Sequence, residues 1–198
     1  MSKGGSNKKE LIRAAAVQVI SHHGYHYATT DRIAEEAGVA VGTIYNYFRN
    51  KEEILEHIFQ VEVDKRFRYY ESVINEDMPA LEKLSGLLTM HFAEVLREPA
   101  VGQIMVRERY SPEDQQLPGI KAFIQGVPHR LQKLLEEAVA KGEIRPCDTN
   151  IVAAALFGSI EGVVSRAVLA EVEIEGTRLL REAARELMDL YVEGLRNR

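Results

Sequence analysis

Residues 29–55 read Thr29-Thr-Asp-Arg-Ile-Ala-Glu-Glu-Ala-Gly-Val-Ala-Val-Gly-Thr-Ile-Tyr-Asn-Tyr-Phe-Arg-Asn-Lys-Glu-Glu-Ile-Leu55, and this stretch decides the fold. Thr29 or Thr30 can cap a short helix over Asp31–Ala37, with Asp31 in the first turn, where the helix dipole favours an anion. Ile33, Ala34 and Ala37 form its inner face. Gly38 suits the left-handed residue that ends it, and Val39 is a buried turn residue. A second helix follows over Val41–Phe48, with Ile44 and Phe48 turned inward. Two short helices about a tight glycine turn are the helix-turn-helix pattern. Ala34 and Ala37 are small enough for the second helix to cross closely. Gly42, Thr43, Asn46 and Tyr47 then face outward on a helix that fits a DNA major groove about 12 Å wide. Tyr45 and Tyr47 can donate O–H bonds to phosphates. Lys51 adds a charge beside the free N–H groups that open the next helix.

Outward from this stretch the chain reads as helix throughout, without sustained strand alternation, internal repeat or low-complexity segment. Met1–Asn7 reads as a flexible basic arm, and a first helix spans Lys8–His23 with Gly24 as its stop. Asn50 and Glu53 resemble a capping box at the start of a long helix to Asn75. Pro79 and Pro99 open two further helices, the second reaching Tyr110, and Ser111–Gln116 is a polar loop. Pro118 opens a helix to Lys141, with Gly126 and Pro128 as kink points. Gly142 ends it. Asp148 caps a helix over Thr149–Ala170, and Thr177 caps the last one. The fold class is all-α: a three-helix helix-turn-helix head over residues 1–50 and a six-helix bundle over 51–198.

The chain has 198 residues and a net charge of −5, which taken alone argues against binding a polyanion. Residues 1–51 carry seven basic and four acidic side chains, a net of +3, so the rest carries −8. A basic head on an acidic body suggests two jobs in one chain. A lone cysteine, Cys147, excludes an intrachain disulfide and suits the cytoplasm. No apolar run approaches the ~18–20 residues of a membrane helix, and the polar Met1–Lys9 does not read as a secretory signal.

The run Gly42–Leu55, preceded by Thr29–Val39, resembles the TetR family of bacterial transcriptional regulators; the match covers about Lys8–Leu55. Ala40 departs from the pattern, since many members cap the second helix with Ser there. The resemblance implies a dimeric, ligand-responsive repressor on a palindromic operator. It places recognition contacts on Gly42, Thr43, Tyr45, Asn46 and Tyr47, and phosphate contacts on Thr29 or Thr30 and on Lys51. A second resemblance, over Gly142–Arg145 and Ala155–Gly162, is to the FadR-type regulators of fatty-acid degradation, which implies a long-chain acyl-CoA effector.

In the body, Ala154, Gly158 and Gly162 recur every fourth residue and would let another helix approach closely. With Leu180, Ala184, Leu187 and Tyr191 of the last helix they form the expected homodimer interface, which would set two heads about 34–36 Å apart on successive major grooves. Phe92, Met105, Phe123 and Phe157 are candidate walls for a small apolar ligand, with Arg107 and Arg109 as partners for a carboxylate or the phosphates of an acyl-CoA. Each has an ordinary alternative, as core aromatics or surface ion pairs. His91 and His129 are pocket candidates on the same terms. His22, His23 and His26 suit a helix C-terminus better than a metal, and Cys147 reads as inert. No phosphate loop, nucleophile elbow or metal-spaced histidine pair supports an enzyme, and neither cofactor nor metal is expected. The alternative is a DNA-binding protein without a small ligand, governed by a protein partner or by assembly on DNA. A helical enzyme or carrier that has lost DNA binding ranks behind it.

Overall fold

The structure is a computed structural model, and it describes residues 3–111, 117–169 and 173–196. In chain order the helices are α1 (Lys3–His23), α2 (Thr30–Glu36), α3 (Val41–Tyr45), α4 (Lys51–Ile74), α5 (Ala80–Arg97), α6 (Pro99–Glu108), α7 (Pro118–Lys121), α8 (Val127–Ala140), α9 (Thr149–Val168) and α10 (Glu173–Leu195). A π-helical turn, Ala122–Gly126, joins α7 to α8. Among the described residues there is no strand. The all-α reading holds.

Several boundaries differ from expectation, and α3 is one: it ends at Tyr45 and not at Phe48. The segment read as a flexible arm is helical from Lys3, because extending a helix that already exists gains one hydrogen bond for each residue fixed and needs no new nucleus. The helix expected to kink at Gly126 and Pro128 is interrupted by the π turn, which ends on Gly126, and Pro128 sits in the first turn of α8. α10 begins at Glu173, so Thr177 lies inside it and is not its cap. Residues 112–116, most of the expected polar loop, and Ala170 lie outside the described residues.

Contacts gather the chain into two units, residues 1–62 with 100–121, and residues 63–99 with 122–198. The expected boundary at 50/51 marks the end of the motif. The contact division falls elsewhere because α4 runs unbroken past that point and its first three turns stay with the head's core.

In the first unit α1 packs on α2 and α2 on α3. Ile12, Ala16, Ile20, Ile33, Ile44, Phe48, Ile54 and Ile58 are buried in its centre. Thr29 is the α2 cap, its hydroxyl accepting from Arg32 N at 3.3 Å. Gly38 adopts φ +63°, which a side chain would strain, and it lets Val39 N donate back to Ala34 O at 3.0 Å. α3 starts at Ala40 without a side-chain cap. Asn50 Oδ1 accepts from Glu53 N at 2.9 Å, while the Glu53 carboxylate reaches back to Arg49 N at 2.6 Å. The capping box is therefore one residue wider than expected. The Arg49 backbone bond is the largest of the effects holding the Glu53 carboxyl below its usual range.

In the second unit α8 packs on α5 and α9, and α10 on α5 and α9. The Glu143 carboxylate accepts from Ala80 N and Leu81 N, both at 3.0 Å, closing the start of α5 with an anion where the dipole favours one. Asp148 caps α9 by accepting from Asn150 N and Ile151 N. Lys83 is buried, and its ammonium is satisfied by Ile74 O at 2.7 Å and Glu137 Oε1 at 3.0 Å. α9 is long and apolar enough, by length and composition, to cross a membrane. The expectation that no run approaches this missed it, because Glu161 and Arg166 interrupt the run without ending it. Its inward side, including Ala153, Leu156, Ile160 and Val164, is part of the unit's core.

Candidate functional site

In the head, α3 is one and a half turns long, and burial of Ile44 fixes which side faces out. Gly42 and Asn46 are exposed, Thr43 and Tyr47 half-buried, and Tyr45 is 54% exposed. Tyr45 Oη and Thr30 Oγ1 are 3.3 Å apart, which ties α3 to the start of α2. Thr29 is exposed although its hydroxyl is engaged as the cap. A Cβ built on Gly42 meets no atom within 4 Å, so nothing inside the protein requires glycine there. These residues form one polar, hydroxyl-rich face beside α2.

Lys51 was expected to meet phosphate, and the structure gives it partners inside the unit. Its ammonium donates to Tyr25 O at 2.8 Å and, at 3.5 Å, to His26 O, and it sits 4.2 Å over the Tyr25 ring. Two of its three protons are thereby directed at carbonyls of the α1–α2 connector.

The second unit holds a cavity of about 50 Å³, walled by side chains of α4, α5, the π turn, α8 and α9. Of the six residues expected to bind a ligand, Phe123 and Phe157 line it, their rings edge to face at 5.7 Å. Phe92 is buried in the core without reaching the cavity. Met105, Arg107 and Arg109 belong to the first unit. There Arg107 Nη1 donates to Ser21 O at 3.2 Å, and Arg109 is buried with Nη1 on Met105 O. They were expected to pair with an anion in the ligand site; one nitrogen of each guanidinium meets a backbone carbonyl instead, and neither residue lines the cavity. His91 does line the cavity, whereas His129 is exposed.

Sequence reasoning missed the polar part of the wall: Arg66 on α4, Arg130 on α8 and Glu161 on α9. Arg66 Nε donates to His91 Nδ1 at 3.1 Å. Arg130 lies with its guanidinium carbon 3.3 Å from the centre of the Phe67 ring. Burial, and then the Arg66 charge, push the His91 pKa well below 6.5, so the ring is neutral near pH 7. The signal was available. Arg66 falls on the buried stripe of α4 with Phe59, Val63 and Tyr70, and Glu161 adjoins Ile160 on that of α9. A charged residue in register with core positions is informative in a way that another buried phenylalanine is not.

Outward on α9, Ala154, Gly158 and Gly162 are exposed, and no atom lies within 4 Å of a Cβ built on either glycine. Ile151, 65% exposed, and Leu169 extend the same stripe. The expected partners on α10 divide. Leu180 and Leu187 are buried within the protomer, because α10 turns them onto the unit's own core. Ala184 and Tyr191 are half-buried, and the Tyr191 hydroxyl lies 3.0 Å from Ser159 Oγ.

Comparison with known proteins bears on both sites. Residues 12–58 match the family model of bacterial regulatory proteins of the tetR family, and residues 77–165 that of a tetracyclin repressor-like C-terminal domain. The chain is 30% identical over 185 residues to a fatty acid metabolism regulator protein of Bacillus subtilis, covering 93% of each. It is 24% identical over 183 residues to the nucleoid occlusion factor SlmA of Vibrio vulnificus, covering 91% of this chain and 93% of that one. A crystal structure of the transcriptional regulator FadR from Bacillus subtilis, in complex with stearoyl-CoA, superposes with a TM-score of 0.83 at 30% identity, over 94% of this chain and 98% of that one.

Proposed function

The chain belongs to the TetR family of bacterial transcriptional regulators, and from that premise we propose that it is a cytoplasmic homodimeric repressor, released from a palindromic operator by a long-chain acyl ligand, an acyl-CoA first among candidates. Gly42, Thr43, Tyr45, Asn46 and Tyr47 read the major groove, and Thr29 and Thr30 hold the backbone. Ala154, Gly158 and Gly162 of α9 meet their copies in the dimer, with Ala184 and Tyr191 of α10 beside them.

The observation that carries the reading is the apolar cavity, with α4 as part of its wall. The first turns of α4 belong to the head's unit, and its Arg66, Phe67 and Tyr70 line the cavity. About 50 Å³ holds only a few waters, so a long acyl chain enters by displacing the side chains that now fill the space. A ligand that binds only the opened form selects it, and a preference of about 5.5 kcal/mol is enough to move the population from 1:99 to 99:1.

The same narrowness favours the second reading, a DNA-binding protein without a small ligand. Gel shifts on the protein's own promoter region, with and without palmitoyl-CoA, decide between them. Release by palmitoyl-CoA supports the first, and DNA binding indifferent to every acyl compound supports the second. DNA affinity unchanged by Tyr47→Ala would overturn the assignment of the reading face.

A further inference from the structure

Two nitrogen atoms of residues that wall the cavity are enclosed and make no hydrogen bond in the structure: His91 Nε2 and Arg130 Nε. The first has a definite protonation. His91 Nδ1 accepts from Arg66 Nε at 3.1 Å, and a neutral imidazole that accepts at Nδ1 carries its proton on Nε2. His91 therefore brings an N–H donor to a wall that is otherwise mostly phenylalanine, leucine and valine. Arg130 spends Nη1 on Gly126 O and rests its flat face on Phe67, which leaves Nε as a second donor. Buried donors without acceptors are costly, and a purely hydrocarbon occupant would leave both in that state. Glu161, also buried in the wall, sets an acidic side chain beside the two arginines.

We propose that the cavity takes an acyl compound by its oxygen as well as its chain, with a carbonyl or carboxylate oxygen accepting from His91 Nε2–H beside the Arg66 and Arg130 guanidiniums. His91 is on this view the residue that separates acyl ligands from alkyl chains of equal length. The inference rests on the acyl reading above and adds the group that the cavity recognises. Arg66 has a part at one remove: its Nε bond fixes which imidazole nitrogen carries the proton. Its charge also opposes protonation of the ring, which keeps Nδ1 an acceptor.

The test compares three probes on the full-length protein by calorimetry: palmitoyl-CoA, palmitate, and S-hexadecyl-CoA, the thioether of equal length that lacks the carbonyl oxygen. The expected result is that palmitoyl-CoA or palmitate binds about tenfold more tightly than the thioether, the usual value of one well-made hydrogen bond. Whichever of the two wins names the source of the oxygen. His91→Phe should erase the preference, His91→Gln should restore part of it through its amide N–H, and the 15N signal of His91 Nε2 should move on binding. Equal binding of thioester, carboxylate and thioether to the wild-type protein overturns the inference and leaves the acyl reading standing. So does a His91→Phe protein that melts like wild type and keeps the preference. Binding of none of the three overturns the acyl reading, and this inference with it.

Discussion

The Lys51 ammonium donates to the backbone carbonyl of Tyr25 at 2.8 Å while lying 4.2 Å over the ring of the same residue. One side chain at the start of α4 thus pins the connector that leads from α1 into α2. A charged hydrogen bond contributes about 1.5–3 kcal/mol, and a cation over an aromatic face roughly 0.5–1 kcal/mol where exposed. Lys51→Met should therefore lower the stability of the protein by about 2 kcal/mol, read by urea unfolding. It should weaken DNA binding by loosening the placement of Thr29 and Thr30. A lost phosphate contact would also reduce the slope of log affinity against log salt by about 0.9. The expected outcome is an unchanged slope. A reduced slope with unchanged stability would return Lys51 to the phosphate backbone.

Gly42 offers a cleaner separation of folding from DNA reading. Its φ is not positive, and a Cβ there meets no atom within 4 Å. Neither conformation nor packing within the protein explains a glycine in a helix, where it costs about 1 kcal/mol relative to alanine. Close approach of the helix backbone to DNA does explain it. Gly42→Leu should leave the melting temperature unchanged or raised and reduce operator affinity by more than tenfold, measured by gel shift. Full affinity in a well-folded Gly42→Leu protein would exclude α3 from the groove.

The head was legible because its determinants are local. Thr29, Gly38, Asn50 and Glu53 act on groups within five residues, so reading them in order gives the caps and the turn. The cavity was only partly legible, because its polar wall comes from α4, α5, α8 and α9, distant in sequence and unremarkable in each helix alone. Phe123 and Phe157 could be picked as aromatic, but so could Phe92, and only packing separates them. Arg107 and Arg109 misled for the same reason: in the sequence they read as partners for an anion, and only packing shows that neither lines the cavity. The π turn of Ala122–Gly126 left a trace in Gly126, where a Cβ would come within 2.9 Å of Phe67 Cζ. The glycine marks both that close approach and the end of the irregular turn.

Glycines of α9 and α10 should behave oppositely on substitution. A Cβ on Gly176 would lie 2.4 Å from Ala167 O, a backbone atom that cannot turn aside. Gly176→Ala should push α10 off α9 and cost about 1–3 kcal/mol, the usual penalty of overpacking, seen as a lower unfolding midpoint at constant protein concentration. Gly158 and Gly162 have open space in the protomer. Gly158→Leu should leave the fold intact by circular dichroism and shift the sedimentation equilibrium from dimer toward monomer. A Gly158→Leu protein that remains fully dimeric would remove α9 from the interface.

His91 gives the stability of the protein a pH dependence whose sign is fixed. Burial, reinforced by the Arg66 charge, holds its folded-state pKa well below 6.5, the value it regains on unfolding. Between those two values the unfolded chain binds a proton that the folded chain refuses, so stability falls as pH falls through and below about 6.5. Above that pH both states are neutral and His91 contributes no dependence. The slope approaches about 1.4 kcal/mol per pH unit while the folded ring stays unprotonated. Arg66, Arg130 and Glu161 are common to the two proteins compared. The chain has six histidines, and His22, His23, His26, His57 and His129 remain in a His91→Gln variant, so the difference between the two proteins isolates the one ring. Urea unfolding of both at intervals between about pH 5 and pH 8 should give curves that run parallel above 6.5 and diverge below it, with wild type losing stability faster. Curves that stay parallel throughout would mean that the imidazole takes up its proton in the folded state, and that the Arg66 bond to Nδ1 does not hold in solution.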